Sequence, residues 1–236
     1  ATYQIEGHGL ETLVSASELA NSDSPYQPLV DSVLGLTSQL ILEKEKVLGD
    51  SLGDTSVLTQ NSTLSGTSQW SDYANSDPIG DAATARSTIM DGCGAAPNAA
   101  IMSWQVWNKL RFSSKLLDAL GYKYNKMGGL NEDELAVALG VEKIIRSDAM
   151  YESAAEGQTS SLAPAFGKNC IFAVVPDRAI PYQVSLGYRI QQSAPRRVYK
   201  YAVSNPPNSQ CVLVEDNYDL MLSNVKAAYL VKNCIA

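Results

Sequence analysis

The longest regular pattern of hydrophobic residues in the chain lies between Pro25 and Leu48. Apolar side chains recur there at steps of three, four or seven positions, a spacing that places them on one stripe of an α-helix. Because glycine often follows the last helical turn, we expect this helix to end near Gly49 or Gly53. At about 1.5 Å per residue, a helix over residues 25–48 is about 36 Å long. The residues that form the stripe are Leu29, Val33, Leu36, Leu40, Val47 and Leu48.

Shorter patterns predict the remaining elements. Loose alternation from Thr2 to Leu13 indicates a first strand, and the apolar run Cys170–Val175 is typical of a strand buried on both faces of a central sheet. The segment Asn131–Glu134 has the pattern of a capping box, so it begins a short helix that Gly140 ends. Helices that cover a mixed sheet predict an α+β fold. Further helices are predicted at 78–91 and 103–112, and further strands at 141–147, 198–203, 211–222 and 227–231.

Two features leave a choice between an internal role and a contact with another subunit. The charged run Glu43–Lys46 favours a solvated helix face, although alternating charges on a long helix also suit pairing with a neighbouring subunit. Trp104 and Trp107 are suited to anchor an interface. Since tryptophan is mostly buried, we expect at least one of them to pack its helix against the sheet.

The composition is that of a folded globular protein. The chain has 236 residues, of which 45% are hydrophobic, and its 18 Lys and Arg against 25 Asp and Glu give a net charge of −7. This acid excess argues against a protein that binds nucleic acid over its whole surface. No apolar run approaches the length of a membrane-spanning helix, so we predict no membrane association. The start of the chain also lacks the pattern of a secretion signal, and the absence of a starting Met indicates a processed or truncated chain.

Candidate chemistry is sparse. His8 is the sole histidine, so histidine-dependent catalysis or a zinc site built on several histidines would have to use it, and we interpret it instead as a strand-end residue in contact with solvent. The glycines of Gly92–Gly94 begin like a dinucleotide loop, but Pro97 occupies the third glycine position. Four widely spaced cysteines show no metal-binding pattern and are expected to be reduced, buried thiols of a cytosolic protein: Cys93, Cys170, Cys211 and Cys234.

Three aspartates are the nearest approach to a metal site. Asp72, Asp77 and Asp81 lie close together in sequence and have the oxygen ligands that a hard cation prefers. Asp77 followed by Pro78 is more typical of a helix start, so we favour a capping role. The sequence therefore predicts no catalytic residue, no cofactor-binding residue and no metal ligand, and it favours a structural protein that is not an enzyme.

Three stretches resemble the major capsid proteins of tailed bacteriophages, prophages and gene transfer agents, which have the Hong Kong 97-like fold. The first comprises QLILEKEKVLGD (39–50) and LSGTSQWSDYANSDPIGDAATARSTI (64–89), the second is PNAAIMSWQVWNKLR (97–111), and the third is LNEDELAVALGVEKIIRSDAMYESA (130–154). Their order and spacing make the resemblance specific.

The resemblance implies a division into two domains. Residues 1–54 and 195–236 would form a peripheral domain whose spine helix covers about 25–48, and residues 55–194 would form an axial domain with a mixed sheet covered by helices. Members of the family carry an N-terminal arm and an extended hairpin loop before the first strand, and both are missing before Thr2 in this chain.

The resemblance also implies a function. It predicts a structural coat protein that self-assembles into pentamers and hexamers of an icosahedral phage head enclosing double-stranded DNA without sequence-specific binding. Its partners would be copies of itself, a portal protein and a scaffolding protein, with assembly in the bacterial host cytoplasm. Two alternatives stay open at this point: the shell protein of an encapsulin-type nanocompartment, and an α/β hydrolase or binding protein with an unrecognised pocket of Ser, Lys and Asp groups.

Overall fold

The computed structural model describes residues 4–121, 128–180, 182–206 and 208–236. Both helices and strands are present, as the α+β prediction requires. The helices in these ranges are α1 (Ala16–Asn21), α2 (Pro28–Gly53), α3 (Pro78–Cys93), α4 (Trp104–Leu110), α5 (Ser114–Ala119) and α6 (Glu132–Leu139). The strands are β1 (Glu6–Val14), β2 (Asn61–Thr63), β3 (Ala99–Ser103), β4 (Lys143–Ser147), β5 (Met150–Glu152), β6 (Leu162–Pro164), β7 (Cys170–Ala173), β8 (Gly187–Val203), β9 (Ser209–Leu222) and β10 (Ala228–Lys232).

The chain divides into two compact units. The first consists of the residues up to Lys44 together with Arg189–Met221, and the second of Glu45–Tyr188 together with Leu222–Ala236. The domain boundaries at residues 54 and 195 that the resemblance implies stay a prediction.

The first unit is built on a three-stranded sheet with the order β1-β9-β8. β1 runs antiparallel to β9, with Glu6 opposite Tyr218 and Val14 opposite Gln210. Alternate residues of a strand point to opposite faces of the sheet. The face that carries Val212 and Val214 packs against the predicted apolar stripe of α2 and buries Leu36 and Leu40.

Helix α2 begins at Pro28, three residues later than predicted. Proline suits the first turn because no N–H is needed there, and the Asp31 carboxylate accepts the N–H of Gln27 at 3.1 Å. The helix passes through Gly49 and ends at Gly53, the second of the two predicted glycines. Val47 is 42% exposed and does not belong to the buried stripe as predicted. From Glu45 on the helix belongs to the second unit, where it buries Leu52 and partly buries Leu48, about a third of a turn away from the stripe of the first unit.

The second unit contains a five-stranded mixed sheet with the order β2-β10-β7-β3-β4. β7 lies at its centre and is antiparallel to both neighbours, whereas β3 and β4 are parallel. Phe172 of β7 faces one hydrophobic core and Ile171 faces another on the opposite side of the sheet. The prediction of a strand buried on both faces is therefore confirmed.

Several boundaries differ from the predictions. The helix expected from residue 103 begins at Trp104 because Ser103 is the last residue of β3. Trp107 is buried and packs in the core as expected, whereas Trp104 is 47% exposed. β8 starts at Gly187, eleven residues before the predicted strand, because Gln, Ser, Arg and Pro interrupt the apolar alternation there. The predicted start of β1 at Thr2 lies outside the described residues. None of the described helices is long and apolar enough to cross a membrane.

Candidate interaction site

A buried carboxylate at the middle of β9 is the centre of a charged cluster in the first unit. Asp216 lies on the same face of β9 as Val214 and Tyr218, and its side chain is only 1% exposed. The antiparallel pairing with β1 places His8 opposite Asp216. The alternation of β9 therefore carries a charged residue into the layer between sheet and helix.

Three cations surround this single carboxylate. Lys44 Nζ lies 2.6 Å from Asp216 Oδ2, and its own side chain is 16% exposed. Arg189 Nη2 lies 3.1 Å from Oδ1, and Arg196 Nη2 lies 3.7 Å from Oδ2. The two arginines reach Asp216 from β8, and Lys44 reaches it from α2, so the cluster joins a helix and two strands.

The charges determine the protonation state of Asp216. Burial alone would raise its pKa, but the hydrogen bond from Lys44 and the charges of Lys44, Arg189 and Arg196 outweigh burial and hold the pKa below the ordinary value of 3.8. The carboxylate is therefore ionised at neutral pH. Removal of one partner from a buried cluster of this kind is costly, because the remaining charges are left uncompensated.

His8 and Tyr218 extend the cluster along the sheet. Their rings are stacked with centroids 4.5 Å apart and an interplanar angle of 21°. Lys44 Nζ lies 4.5 Å from the centroid of the Tyr218 ring, and His8 Nδ1 lies 3.7 Å from Glu43 Oε1. The interpretation of His8 as a strand-end residue is wrong, because it lies within β1 and packs on an aromatic ring. Among the described residues the cluster connects helix α2 to strands β1, β8 and β9, so its contacts are those of a structural site.

The side chains of the charged run Glu43–Lys46 contact other residues of the same chain. Glu43 lies near His8, Lys44 pairs with Asp216, and Lys46 forms an ion pair with Asp50 and lies 4.6 Å from the Tyr151 ring centroid. Ser147 donates a 2.6 Å hydrogen bond to Glu45. The preference for a plain solvated face was therefore wrong, since each of the four side chains has an internal partner.

The three aspartates of the possible cation site have separate roles. Asp72 accepts hydrogen bonds from the N–H groups of Ala74 and Asn75, whereas Asp81 accepts one from Trp70 Nε1 at 2.8 Å. Asp77 precedes α3 as predicted, but its carboxylate makes no capping hydrogen bond and lies 3.8 Å from Lys115 Nζ. In the described part of the chain no group of three or more His, Cys, Asp or Glu could hold a metal ion.

Two substitutions of Asp81 should show whether its hydrogen bond with Trp70 or its charge contributes to the stability of the fold. Burial raises the pKa of Asp81, whereas the hydrogen bond from Trp70 acts in the opposite direction. Asp81→Ala leaves the N–H of the fully buried Trp70 without an acceptor and should lower the free energy of unfolding by about 1–3 kcal/mol. Asp81→Asn keeps an acceptor oxygen and should cost less than the alanine variant in urea unfolding at pH 7. Equal losses in the two variants would contradict a role for the hydrogen bond.

The remaining candidates from the sequence also have structural roles. Gly94 ends α3 in the left-handed conformation with φ 72°, so the glycines 92–94 end a helix and do not open one. The four cysteines are free, and Cys93 is only partly buried. Burial raises the pKa of the Cys170 thiol far above its ordinary value, which suppresses the reactive thiolate.

Most of the exposed large apolar side chains described in the first unit lie on α2 and β8. On α2, Val30, Leu34 and Ile41 are 50%, 63% and 45% exposed. At 100° per residue they form a second stripe, about a third of a turn from the buried one. On β8, Val198 and Tyr201 are 50% and 46% exposed. Sequence reasoning placed the α2 stripe that faces the sheet but did not identify these outward-facing residues.

A cleft of about 430 Å³ lies between α3 and α6 in the second unit. Its lining is mainly apolar, with Arg86 and Ser87 as the larger polar residues. Neither Lys nor Asp lines it, so the cleft lacks the converging groups that the hydrolase alternative requires.

Comparisons with known proteins give one consistent result. No protein-family model matches the chain. Its sequence is 27% identical over 173 residues to the major capsid protein of Pseudomonas phage JBD67, a match that covers 72% of this chain and 54% of the relative. The chain thus spans about half the length of this curated relative.

Solved structures share the fold over nearly the whole chain. A phage-related protein from Bordetella bronchiseptica RB50 has a TM-score of 0.79 and 24% identity, with 98% of this chain and 77% of that chain covered. The capsid structure of cyanophage P-SCSP1u has a TM-score of 0.62 and 10% identity, with 97% and 72% covered. The SrpI encapsulin complex of Synechococcus elongatus PCC 7942 has a TM-score of 0.50 and 12% identity, with 98% and 74% covered. The chain therefore has the Hong Kong 97-like fold of phage capsid proteins and is similar in sequence to a phage major capsid protein.

Proposed function

We propose that this chain is a structural major capsid protein that assembles with copies of itself into the pentamers and hexamers of an icosahedral phage head. The observation that carries the proposal is the 173-residue similarity to a phage major capsid protein. The shared fold over 98% of the chain supports it. A shell subunit needs surfaces that match other copies under rotational symmetry, and it needs no turnover chemistry.

The surface of the first unit supports self-association. The stripe Val30, Leu34 and Ile41 leaves apolar side chains in water along one side of α2. Exposed apolar side chains that line up on one side of a helix favour interaction sites in soluble proteins. A contact with another subunit would remove these side chains from water.

The charge of the chain supports enclosure of double-stranded DNA without tight binding to it. A net charge of −7 repels a phosphate polymer over the Debye length, so packaged DNA would not adhere to the shell. In this proposal the protein is a component of the virion, it is assembled in the host cytoplasm, and portal and scaffolding proteins are its further partners.

An encapsulin-type compartment is the alternative within the same fold. The chain shares the encapsulin architecture at a lower TM-score than that of the phage-related protein. An encapsulin would copurify with an enzyme cargo in small uniform shells, whereas a phage head protein would form shells without such a cargo.

Electron microscopy tests the proposal. The protein produced in bacteria from its complete coding sequence should form shells, rings or sheets that are visible in negative stain. Purification under conditions of low and high protein concentration should give the same kinds of particle. Protein that stays monomeric at every concentration would contradict the proposal, and particles filled with one enzyme would favour the encapsulin alternative.

A further inference from the structure

Acidic and basic residues are concentrated in different segments of the chain, which the net charge of −7 does not show. Residues 1–43 contain six Asp and Glu and no Lys or Arg. Residues 189–214 contain four Lys and Arg and no Asp or Glu. Both segments belong to the first unit, where the acidic segment forms β1, α1 and most of α2, and the basic segment forms most of β8.

The basic segment presents its charge to solvent. Arg189 and Arg196 are engaged with Asp216, but Arg197 and Lys200 are exposed and form no ion pair within the described part of the chain. The side chains between and beside them are also exposed, since Val198, Tyr199 and Tyr201 are 50%, 41% and 46% accessible. β8 therefore combines two exposed cations with apolar and aromatic surface. Arg197 and Lys200 lie three positions apart and so flank the strand on opposite sides, and the Arg197 guanidinium also has a hydrogen bond with Tyr199 and is attracted by Glu215.

β8 is also an edge strand. It pairs with β9 on one side, and within the described residues no strand pairs with its other side. An exposed edge offers unpaired backbone groups to a partner. Its positive charges disfavour pairing with an identical edge and favour an acidic partner. We refer to Arg197–Tyr201 as the basic edge.

The acidic counterpart lies around Tyr26. The phenol of Tyr26 donates a 2.9 Å hydrogen bond to Glu18, and its backbone N–H bonds to the carbonyl of Asp23 at 2.9 Å. The carboxylates of Glu18 and Asp31 both raise the pKa of Tyr26, and the hydrogen bond that the Tyr26 phenol donates to Glu18 is the largest cause. Glu18, Asp23 and Asp31 are exposed, and none of them pairs with a Lys or Arg of the described residues. We refer to Glu18–Asp31 as the acidic face.

We propose that the basic edge of one copy binds the acidic face of a second copy. The inference rests on the proposed function and names the surfaces by which copies meet. Because the two surfaces are different parts of one molecule, the contact is head-to-tail, and head-to-tail contacts close into rings when the rotation allows it. A second copy is favoured over DNA as the occupant because the chain itself carries the complementary charge, while its net charge of −7 repels phosphate.

Charge reversal tests this contact. Arg197→Glu with Lys200→Glu should lower the assembled fraction about tenfold at low salt, because like charges then face each other across the contact. Glu18→Lys with Asp23→Lys should have the same effect for the same reason. An equimolar mixture of the two double variants should recover association in rings with an even number of copies, such as hexamers. In an alternating ring the reversed edge of the first variant meets the reversed face of the second, and the native edge of the second meets the native face of the first.

The control variant carries the same change in charge elsewhere. Lys168 and Lys226 are exposed in the second unit and form no ion pair within the described residues. Lys168→Glu with Lys226→Glu should therefore assemble like the wild type. Circular dichroism and thermal unfolding establish that each variant is folded. If a charge-reversal variant does not fold, a salt titration of the wild type tests the contact instead. Raising NaCl from about 50 to 500 mM should weaken wild-type assembly, because salt screens the charges across the contact.

The outcomes separate the two proposals. Wild-type protein that never assembles overturns the proposed function and this contact with it. Wild-type assembly that neither reversal alters overturns the contact alone. Reversal of the basic edge that leaves assembly intact but abolishes binding to a short double-stranded DNA would show that the edge is a nucleic-acid site.

Discussion

Replacement of Asp216 by alanine should lower the free energy of unfolding by about 3 kcal/mol at pH 7, measured by urea denaturation. The variant leaves Lys44, whose side chain is 16% exposed, without its 2.6 Å counter-charge. It also removes the partner of Arg189 and Arg196 and brings three positive charges into mutual repulsion. Uncompensated charge in a partly buried site is expensive because water cannot solvate it fully.

Asp50 provides the matched control. It also pairs with a lysine, Lys46, but within one turn of α2 and with 63% of its side chain exposed. Asp50→Ala should therefore cost about 0.5 kcal/mol or less. An Asp216→Ala variant as stable as Asp50→Ala would show that the cluster does not fix the sheet to the helix.

The Asp216 carboxylate should also make the free energy of unfolding depend on pH. The folded pKa of Asp216 is lower than the unfolded one, so its contribution is fully present above the unfolded pKa of about 3.9. The contribution is lost as the pH falls from that value through the folded pKa. Urea denaturation between neutral and acid pH should therefore show a smaller loss of stability below about pH 4 in Asp216→Asn than in the wild type.

Two glycines of α2 should respond to alanine with opposite signs. A Cβ at Gly49 would overlap the carbonyl oxygen of Ala165 and lie 3.3 Å from Cα of Phe166. Both contacts are backbone atoms that cannot rotate away, so the helix or the segment 165–166 must shift. Overpacking of this severity should outweigh the better helix propensity of alanine, and Gly49→Ala should lower the free energy of unfolding by about 2 kcal/mol or more.

Gly35 is the control on the same helix. No atom lies within 4 Å of a Cβ placed there. Gly35→Ala should therefore raise the free energy of unfolding by about 0.5–1 kcal/mol, since alanine favours the helix and restricts the unfolded chain. Thermal unfolding of both variants measures the difference, and destabilisation of similar size at the two positions would contradict the close approach at Gly49.

Strong periodicity made the main elements predictable from sequence. The stripe along α2 and the continuous apolar run of β7 each reflect burial that a single segment records by itself. The start of β8 was not predictable in this way, because an exposed edge strand has no apolar alternation to reveal it. Gly49 was ambiguous for a related reason: a glycine that allows two backbones to approach looks in sequence like a glycine that ends a helix.

The charged cluster around Asp216 could be identified only from the folded structure. Asp216 alternates with Val214 and Tyr218, so the pattern of β9 already places it on a buried face, and this signal could have identified it. Its partner Lys44 is 172 residues away in sequence, and no local pattern joins the two. Charge segregation was readable from the sequence, whereas the exposure and edge position of Arg197 and Lys200 were not.

The mass of the purified particle tests the central claim most directly. Sedimentation velocity of the protein made in bacteria from its complete coding sequence should give a fast boundary far heavier than the 25.4 kDa of this single chain, and more of it at higher concentration. Such a boundary is what a subunit that works by fitting beside its copies must produce. A slow boundary at the mass of one subunit at every concentration and salt level would contradict the account.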